Sequence, residues 1–266
     1  MGLTETYNYY YHEVADPRVK NWPLMGDPWP TLLIIASYLY FVFQYGPQFM
    51  KNRPAYELKT FIQFYNLFQV FANAYIVSEF LAVYPDATAL RCVTSDPSWN
   101  PDAVRALKAC YCVTLLKIVD LIETGLFVLR KKKNQISFLH VYHHISTLHF
   151  SLALTRYYGG GMAVLYPALN CAVHVTMYSY YFLSSIEGIK EVVHPIKRYI
   201  TMIQMVQFIF MMLHTLVSLK PSCNFPKLPP CLLFGNLLFN FYLFYNFYKK
   251  AYSDPKKTKK GLRDSI

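Results

Sequence analysis

Long apolar runs separated by short polar segments dominate this chain. Seven of the runs reach the roughly 20 mainly apolar residues that a helix needs to cross a bilayer, so we predict an all-α polytopic membrane protein. The predicted spans are residues 29–50, 61–84, 109–129, 138–157, 162–183, 199–219 and 230–248. Several of these spans contain polar or charged side chains, and their positions carry most of the functional information.

Composition and charge agree with a membrane protein. The chain is 54% hydrophobic, 18% aromatic and only 15% charged, which is far more apolar than a soluble domain. The net charge of +11 would suit nucleic acid, but the segments after spans one, three, five and seven hold roughly two-thirds of the 26 Lys and Arg residues. The positive-inside rule places that set in the cytosol. We therefore expect a luminal N-terminus, a cytosolic C-terminus and no nucleic-acid partner.

The chain shows no internal repeat, and we predict a single domain over residues 1–266. Residues 249–266 hold many lysines and almost no apolar side chains. We expect this segment to be a disordered basic cytosolic tail that is attracted to the anionic cytosolic leaflet.

Three histidines, His140, His143 and His144, lie at the start of the fourth span. Ionisable side chains are costly in hydrocarbon, so they are rare in membrane spans and usually serve a function. Three imidazoles within about one helical turn therefore predict a reactive centre.

Other spans also carry polar side chains in helical register. They are Lys117, Asp120 and Thr124 with Glu123 nearby in span three, Asn170, His174, Met177, Tyr178 and Tyr181 in span five, Thr201 and Gln204 together with Phe208 in span six, and Asn66, Gln69 and Asn73 in span two. Because successive spans alternate in direction, we expect the faces of spans three to six to meet in the cytosolic half of the membrane. Interhelical hydrogen bonding is the structural alternative, and it explains any single face better than the combination.

Three functional classes suit such a centre. A di-iron lipid desaturase or hydroxylase uses His-x-x-His-His boxes as metal ligands, but this chain brings only His140, His143, His144 and His174 to the required depth. Acyl chemistry needs an imidazole as base or nucleophile and amide or phenol donors for an oxyanion. A seven-span receptor or transporter would place its functional groups nearer the midplane or the lumen. We favour acyl chemistry without a metal ion and keep the di-iron enzyme as the alternative.

The ordered set of motifs resembles the ELO family of very-long-chain fatty-acid elongases, the membrane 3-oxoacyl-CoA synthases. The resemblance covers nearly the whole chain and rests on the boxes at residues 117–124, 140–144, 170–181 and 201–207. The usual first box reads Lys-x-x-Glu-x-x-Asp-Thr. Here Asp120 and Glu123 take those two positions, so both charges are kept and both side-chain lengths change.

The resemblance implies an enzyme of the endoplasmic reticulum with seven spans, six of which form a barrel around an acyl-CoA tunnel. It implies condensation of a long-chain acyl-CoA with malonyl-CoA, which yields CO2, CoA and a 3-oxoacyl-CoA two carbons longer. No cofactor is needed. The expected partners are the bilayer and the other enzymes of the elongation cycle, namely a ketoacyl reductase, a dehydratase and an enoyl reductase. A homodimer remains open.

The resemblance also implies roles for individual residues. His143 takes the acyl group as an acyl-imidazole, and His174 assists transfer and condensation. The residues implied to orient and polarise are His140, His144, Asp120, Asn170, Tyr178 and Gln204. The residues implied to bind substrate are Lys117, Glu123, Thr124, Met177, Tyr181, Thr201, Gln207, Lys197 and Arg198. Among these, Lys117, Lys197 and Arg198 are candidates for the CoA phosphates, although topology alone also explains Lys197 and Arg198.

Two of the six cysteines, Cys92 and Cys223, fall in segments assigned to the lumen. An oxidising lumen allows them to pair, whereas the other four lie in or beside spans, where cysteine packs as a small apolar residue. Under the resemblance, a Cys92–Cys223 disulfide would bridge luminal loops at the closed end of the tunnel.

Overall fold

The structure is a computed structural model that describes residues 2–252. Within these residues the chain is helical and forms no β-strand, which confirms the all-α prediction for the described part. The α-helices are α1 (Leu3–Asn8), α2 (Trp29–Tyr40), α3 (Gly46–Phe49), α4 (Lys59–Val83), α5 (Pro101–Leu129), α6 (Phe138–Tyr157), α7 (Leu165–Ser184), α8 (Lys190–Val193), α9 (Ile196–Leu219) and α10 (Leu228–Tyr252). Two π-helical turns, Tyr9–Glu13 and Phe41–Tyr45, follow α1 and α2.

Each of the seven predicted spans lies on a helix. The first comprises α2, the π-helical turn and α3, and the other six correspond to α4, α5, α6, α7, α9 and α10. Three of these helices, α4, α9 and α10, are long and apolar enough to cross a membrane by length and composition. These three helices indicate a membrane protein, and the full count of seven crossings stays a prediction.

Helix α5 begins at Pro101, well before the start that was predicted at residue 109. The Asn100 side chain accepts a hydrogen bond from the Asp102 backbone N–H at 3.1 Å and so caps the helix. Pro101 occupies the first helical position, where its missing N–H costs nothing. Apolar periodicity located the buried part of the helix, whereas this cap sets its start.

A close approach explains the glycine at the start of α3. A Cβ on Gly46 would lie 2.6 Å from both the Phe41 carbonyl oxygen and a Val128 side-chain carbon. Real Cβ contacts do not reach that distance, so only glycine lets α3 pack this closely against α5.

The described chain divides into two compact units. The first contains the chain up to Leu58 together with Ser78–Pro167, and the second contains Lys59–Val77 and the described chain from Ala168 onward. Helix α4 contributes to both units. The single domain that we expected from the sequence stays a prediction.

The first unit has its apolar core between α2, α5 and α6. The core consists of Tyr38, Val42, Leu121, Val141 and Leu148, and each is at most 8% exposed. Full burial of such a side chain stabilises a fold by about 1.5–3 kcal/mol. This packing fixes the faces of α5 and α6 that also carry the polar residues.

Charged side chains attach the N-terminal segment to the same unit. Arg18 binds the Asp16 carboxylate through two nitrogens at 2.6–3.1 Å and donates to the Ser98 carbonyl at 2.6 Å. Arg156, at the end of α6, donates to the Tyr11 carbonyl at 2.7 Å, and its guanidinium carbon lies 4.1 Å from the Tyr11 ring centroid. Both arginines are only 5% exposed. We call Asp16, Arg18 and Arg156 the N-terminal anchor.

The second unit is built on α9 and α10, which pack together. The Phe208 and Phe244 rings lie 5.1 Å apart across this contact. Lys227 closes the connection, because its ammonium donates to the carbonyls of Ser218, Lys220 and Cys223 at 2.6–2.9 Å. These contacts satisfy carbonyls at the end of α9 that have no partner within the helix.

Helix α10 continues through residues 249–252, where the sequence predicted the start of the tail. Its last turn is held by the Tyr248 and Tyr252 rings, whose centroids are 5.2 Å apart. The remaining tail, residues 253–266, lies outside the described residues, and its disorder stays a prediction.

Candidate functional site

The three histidines of the fourth span occupy the first two turns of α6. Ser137 caps this helix, because its hydroxyl accepts a hydrogen bond from the His140 backbone N–H at 3.2 Å. The cap fixes the rotation of the helix start and therefore the direction of the imidazoles that follow. His144 is 8% exposed, while His140 and His143 are half-buried.

Helix α5 contributes a buried ion pair. The Lys117 ammonium lies 2.9 Å from an Asp120 carboxylate oxygen, and both side chains are at most 4% exposed. An isolated charge would be very costly at this depth, whereas a hydrogen-bonded pair offsets much of that cost. The predicted shared face of α5 is therefore present, and Asp120 carries a counter-ion on its own helix.

A hydroxyl chain connects α2, α5 and α6. The Thr124 hydroxyl lies 2.8 Å from His140 Nε2 and 3.0 Å from the Tyr38 hydroxyl. Thr124 is completely buried and Tyr38 is 8% exposed. A predicted substrate-binding threonine thus contacts a predicted orienting histidine directly.

The second carboxylate of α5 faces the next imidazole. A Glu123 carboxylate oxygen lies 3.6 Å from His144 Nε2, and the His140 and His144 rings contact each other at a centroid distance of 4.2 Å with an interplanar angle of 55°. The His143 ring lies 6.2 Å from His144 in an edge-on arrangement. We call Lys117, Asp120, Glu123, Thr124, His140, His143 and His144 the α5–α6 polar cluster.

Three side chains of this cluster, Glu123, His140 and His144, are of the kinds that bind metal ions. The donor atoms of Glu123, His140 and His144 lie within 4.8 Å of one another. One of these separations is the 3.6 Å between Glu123 and His144, and the Thr124 hydroxyl already contacts His140 Nε2 at 2.8 Å. This group does not supply the many imidazole ligands that a di-iron centre requires.

In the second unit, the predicted histidine of α7 packs against a tyrosine ring that contacts two further tyrosines. The His174 and Tyr178 rings meet edge to face at 5.6 Å, and Tyr178 contacts the Tyr65 and Tyr181 rings at 6.0 Å each. Tyr178 is 1% exposed and His174 is 8% exposed. Residues His174, Tyr178 and Tyr181 of the predicted arc therefore contact one another in sequence, with Tyr178 at the centre of the group.

Helix α4 supports this group with amides. The Gln69 amide donates to the Tyr65 hydroxyl at 3.0 Å, and the Asn73 amide donates to the Gln69 side chain at 3.1 Å. Gln69 and Asn73 are fully buried. The amide stripe of the second span thus orients Tyr65, a residue that the sequence motifs did not single out.

The other predicted residues of α7 and α9 have simpler surroundings. The Gln204 amide lies 3.5 Å from the Met177 sulfur, and the Gln207 amide lies 3.8 Å from the sulfur of Met211 on its own helix. The Thr201 hydroxyl donates to the Lys197 carbonyl of its own helix. The Asn170 side-chain oxygen is buried and has no hydrogen-bond partner among the described residues.

The two basic residues at the start of α9 differ from each other. Arg198 donates to the Tyr248 hydroxyl at 2.7 Å, and its guanidinium carbon lies 5.7 Å from that ring centroid. The Lys197 side chain is exposed. Of the two, Lys197 is the one that is free to reach an anionic group at the helix end.

Sequence reasoning missed Tyr38, Ser137 and Tyr65. Ser137 had a usable signal, since a serine three residues before His140 suits a helix cap. Tyr38 and Tyr65 had none, because the chain contains 24 tyrosines and most of them lie in apolar segments.

The thiols of Cys110, Cys112, Cys171 and Cys231 are free. Cys92 and Cys223 are the cysteines that carry no free thiol. Their pairing stays a prediction and is consistent with this division.

Comparison with known proteins gives a consistent result. The profile of the ELO family, described as the GNS1/SUR4 family, matches residues 23–260. Human very long chain fatty acid elongase 4 is 38% identical over 263 residues, which cover 98% of this chain and 83% of the relative. Mouse very long chain fatty acid elongase 1 is 35% identical over 265 residues, which cover 96% and 94% respectively. The chain therefore belongs to the ELO family.

Proposed function

We propose that this protein is a fatty-acid elongase that condenses a long-chain acyl-CoA with malonyl-CoA. The products are a 3-oxoacyl-CoA two carbons longer, CO2 and CoA. The observation that carries the proposal is the α5–α6 polar cluster, which gathers three imidazoles, two carboxylates and a lysine among apolar helices of an ELO-family chain. The names of the relatives support the reaction class.

The first step is acyl transfer to His143. An imidazole nitrogen of His143 attacks the thioester carbonyl, the C–S bond breaks, and the imidazole proton leaves with CoA as the thiol. The acyl-imidazole that remains is an activated acyl group. We assign the nucleophile to His143 because the resemblance to the elongase family gives this role to the middle histidine of the 140–144 box.

The second step is decarboxylative condensation. Malonyl-CoA loses CO2, and the resulting enolate carbon attacks the acyl-imidazole carbonyl. The C–N bond then breaks, and the imidazole takes up a proton from the medium. We assign His174 to this step, since an imidazole supported by the Tyr178 ring suits a group that stabilises an enolate or moves a proton.

The remaining site residues orient and bind. We assign orientation and polarisation to His140, His144, Asp120, Asn170, Tyr178 and Gln204, and substrate contact to Glu123, Thr124, Met177, Tyr181, Thr201 and Gln207. Lys117 balances the charge of Asp120 as well as attracting anionic substrate. Lys197 and Arg198 are assigned to the CoA phosphates, with Lys197 the stronger candidate because the Arg198 guanidinium already donates to the Tyr248 hydroxyl. Neither step uses a metal ion or another cofactor.

The proposal includes a membrane setting. Seven spans, six of them in a barrel around an acyl tunnel, would hold the protein in the endoplasmic reticulum with a luminal N-terminus and a cytosolic C-terminus. The product would pass to the ketoacyl reductase, dehydratase and enoyl reductase of the cycle. The distribution of Lys and Arg and the apolar helices support this setting.

The test is single-turnover acylation of the purified protein. Incubation with acyl-CoA alone should release CoA and add the acyl mass to the peptide that contains His143. His143→Ala should lose both CoA release and elongation by at least about 1,000-fold. Cys171→Ser is the matched control, because Cys171 is a buried free thiol next to the motif residue Asn170, and it should remain active.

Two outcomes would contradict the proposal. Acyl mass on Cys171, or elongation that survives His143→Ala, would assign the nucleophile elsewhere. Activity that is abolished by a chelator and restored by iron would favour the di-iron alternative.

A further inference from the structure

The hydroxyl chain from Tyr38 through Thr124 to His140 joins three helices at the edge of the polar cluster. Its two contacts are 3.0 Å and 2.8 Å, within the range of ordinary hydrogen bonds. Tyr38 is a member of the apolar core of the first unit, so its ring is held by packing and its hydroxyl is the polar end of that core. None of the proposed chemical steps uses Tyr38.

The donor and the acceptor in the Tyr38–Thr124 and Thr124–His140 hydrogen bonds follow from the number of hydroxyl protons that need an acceptor. Each hydroxyl donates one proton, and a buried donor without an acceptor is costly. Within the described residues the Tyr38 hydroxyl has one hydrogen-bond contact, which is Thr124. If His140 Nε2 donated to Thr124, the Thr124 proton would point at the Tyr38 oxygen and the Tyr38 proton would have no acceptor. The chain therefore runs from Tyr38 to Thr124 to His140.

In this direction, His140 Nε2 is an acceptor. An imidazole that accepts at Nε2 is neutral and carries its proton on Nδ1. We propose that Tyr38 is a positioning residue that acts through Thr124 to hold His140 as the neutral Nδ1–H tautomer beside the nucleophile, an inference that rests on the proposed function. Tyr38 itself touches no substrate in this scheme.

The neighbours of His140 show why its charge matters. On α6 it faces His143 and the His144 ring at 4.2 Å. On α5 it lies beside Glu123 and the Phe127 ring, whose centroid is 5.1 Å away, and α2 presents the neutral Tyr38 hydroxyl behind Thr124. A proton on His140 would place a positive charge beside two imidazoles that must stay neutral for nucleophilic attack. A charged His140 would also attract the Glu123 carboxylate that now faces His144.

The variant that tests this inference is Tyr38→Phe, with Tyr40→Phe as the matched control. Phenylalanine keeps the packed ring at position 38 and removes the proton donor, which leaves Thr124 free to accept a proton from a charged His140. Tyr40 lies on the same helix, is 62% exposed and stacks on Tyr45. Its hydroxyl should be dispensable.

The expected result is a change in the pH profile of elongation. Tyr38→Phe should lower kcat about 3- to 10-fold near neutral pH with little change in KM, and should move the acid limb of the kcat profile to higher pH by about 0.5–1 unit. Thr124→Val should give the same shift, whereas Thr124→Ser, which keeps the hydroxyl, should keep the wild-type midpoint of the acid limb whatever its kcat. The double variant Tyr38→Phe/Thr124→Val should shift no further, because the two residues act as one chain.

A second measurement does not depend on activity. Diethyl pyrocarbonate modifies neutral imidazoles, and mass spectrometry follows modification of the His140 peptide as the pH falls. In Tyr38→Phe this modification should decline at a higher pH than in the wild type or Tyr40→Phe.

The outcomes separate the two proposals. If the wild type shows no elongation, the proposed function fails and the modification profile still tests the role of Tyr38. If Tyr38→Phe loses activity while both profiles keep their wild-type midpoints, its role is only structural and the inference is overturned. Activity and profiles that equal those of the wild type overturn it as well.

Discussion

The α5–α6 polar cluster and the N-terminal anchor bury charge in the same unit, but their charged groups have different kinds of partner. In the cluster, imidazoles and hydroxyls accompany the charges: Lys117 binds Asp120, and Thr124 binds His140. In the anchor, the donors are arginines: Arg18 binds the Asp16 carboxylate and the Ser98 carbonyl, and Arg156 binds the Tyr11 carbonyl. Burial alone therefore does not distinguish a reactive site from a structural one.

The type of partner makes the distinction. An arginine keeps its proton in proteins and a backbone carbonyl cannot titrate, so the contacts of Arg18 and Arg156 fix the path of the chain and move no proton. An imidazole, hydroxyl or carboxylate changes its state when a proton moves, and carboxylate–imidazole contacts are typical of catalytic sites. We therefore expect substitutions in the anchor to change stability, and substitutions in the cluster to change activity beyond any change in stability.

The largest effect should come from the buried ion pair. Asp120→Leu leaves the Lys117 ammonium uncompensated at 4% exposure, and it should lower the free energy of unfolding by about 3–5 kcal/mol. Loss of elongation should accompany it. The apparent Tm of the purified protein and the elongation rate measure the two effects.

The double variant Lys117→Met/Asp120→Leu separates these effects. Replacement of a buried pair by apolar side chains of similar volume is often neutral or stabilising, so the apparent Tm should return close to the wild-type value. Elongation should not return. A stable double variant with full activity would make the pair structural and remove the contrast with the anchor.

The second largest effect should come from a glycine of the first unit whose backbone conformation and surroundings exclude a side chain. Gly161 has a φ of +56°, and an added Cβ would lie 2.3 Å from the Val93 carbonyl oxygen. Gly161→Ala should cost about 2–4 kcal/mol of unfolding free energy, because the left-handed conformation and the clash add. Activity per folded molecule should not change.

Gly188 offers the matched control. It also has a positive φ, +82°, but a Cβ there meets nothing within 4 Å. Gly188→Ala should therefore cost only about 1 kcal/mol. Equal losses of apparent Tm in the two variants would mean that the clash with Val93 contributes nothing.

The sequence predicted the helices of this fold because their apolar runs are long, and it predicted the polar faces because helical spacing is regular. Lys117, Asp120 and Thr124 appear on one side of α5 as expected. The sequence did not predict the start of α5, since a short cap at Asn100 decides it. The cap starts the helix eight residues before the apolar pattern begins at residue 109.

Individual contacts between helices could not be predicted from the sequence, for another reason. The position of Tyr38 beside Thr124 depends on how α2 packs against α5. The sequence around a tyrosine in an apolar run does not indicate which residue its hydroxyl will contact. The buried Arg156 was equally hidden, because its partners are carbonyls of a distant segment and every residue has a carbonyl.

Arg156 gives the third prediction and the direct test of the anchor. Arg156→Gln keeps a polar side chain but removes the charged donors to Tyr11 and Gly26 and the stacking on the Tyr11 ring. It should cost about 2–3 kcal/mol of unfolding free energy. The pH profile and KM of elongation should remain those of the wild type, in contrast to Tyr38→Phe. A changed pH profile in Arg156→Gln would mean that the anchor influences the chemistry.

The smallest effect comes from an ion pair that has side-chain partners but no burial. Lys59 and Glu187 contact each other in the second unit with 54% and 90% of their side chains exposed. The hydrogen bond from Lys59 lowers the pKa of the Glu187 carboxyl below its usual value. A carboxyl with a lowered pKa in the folded state stabilises the fold at pH values above its unfolded pKa, and that contribution disappears as the pH falls through the folded pKa.

Glu187→Gln should therefore lower the apparent Tm slightly at pH 7, and this difference should shrink progressively as the pH falls below the usual glutamate pKa of about 4.3. Water and salt screen an exposed pair, so we expect a change within about 1 °C that vanishes in high salt. Elongation should be unaffected. A loss of several degrees would show that side-chain partners stabilise charge without burial. The contrast between the cluster and the anchor would then have to include exposure as well as the type of partner.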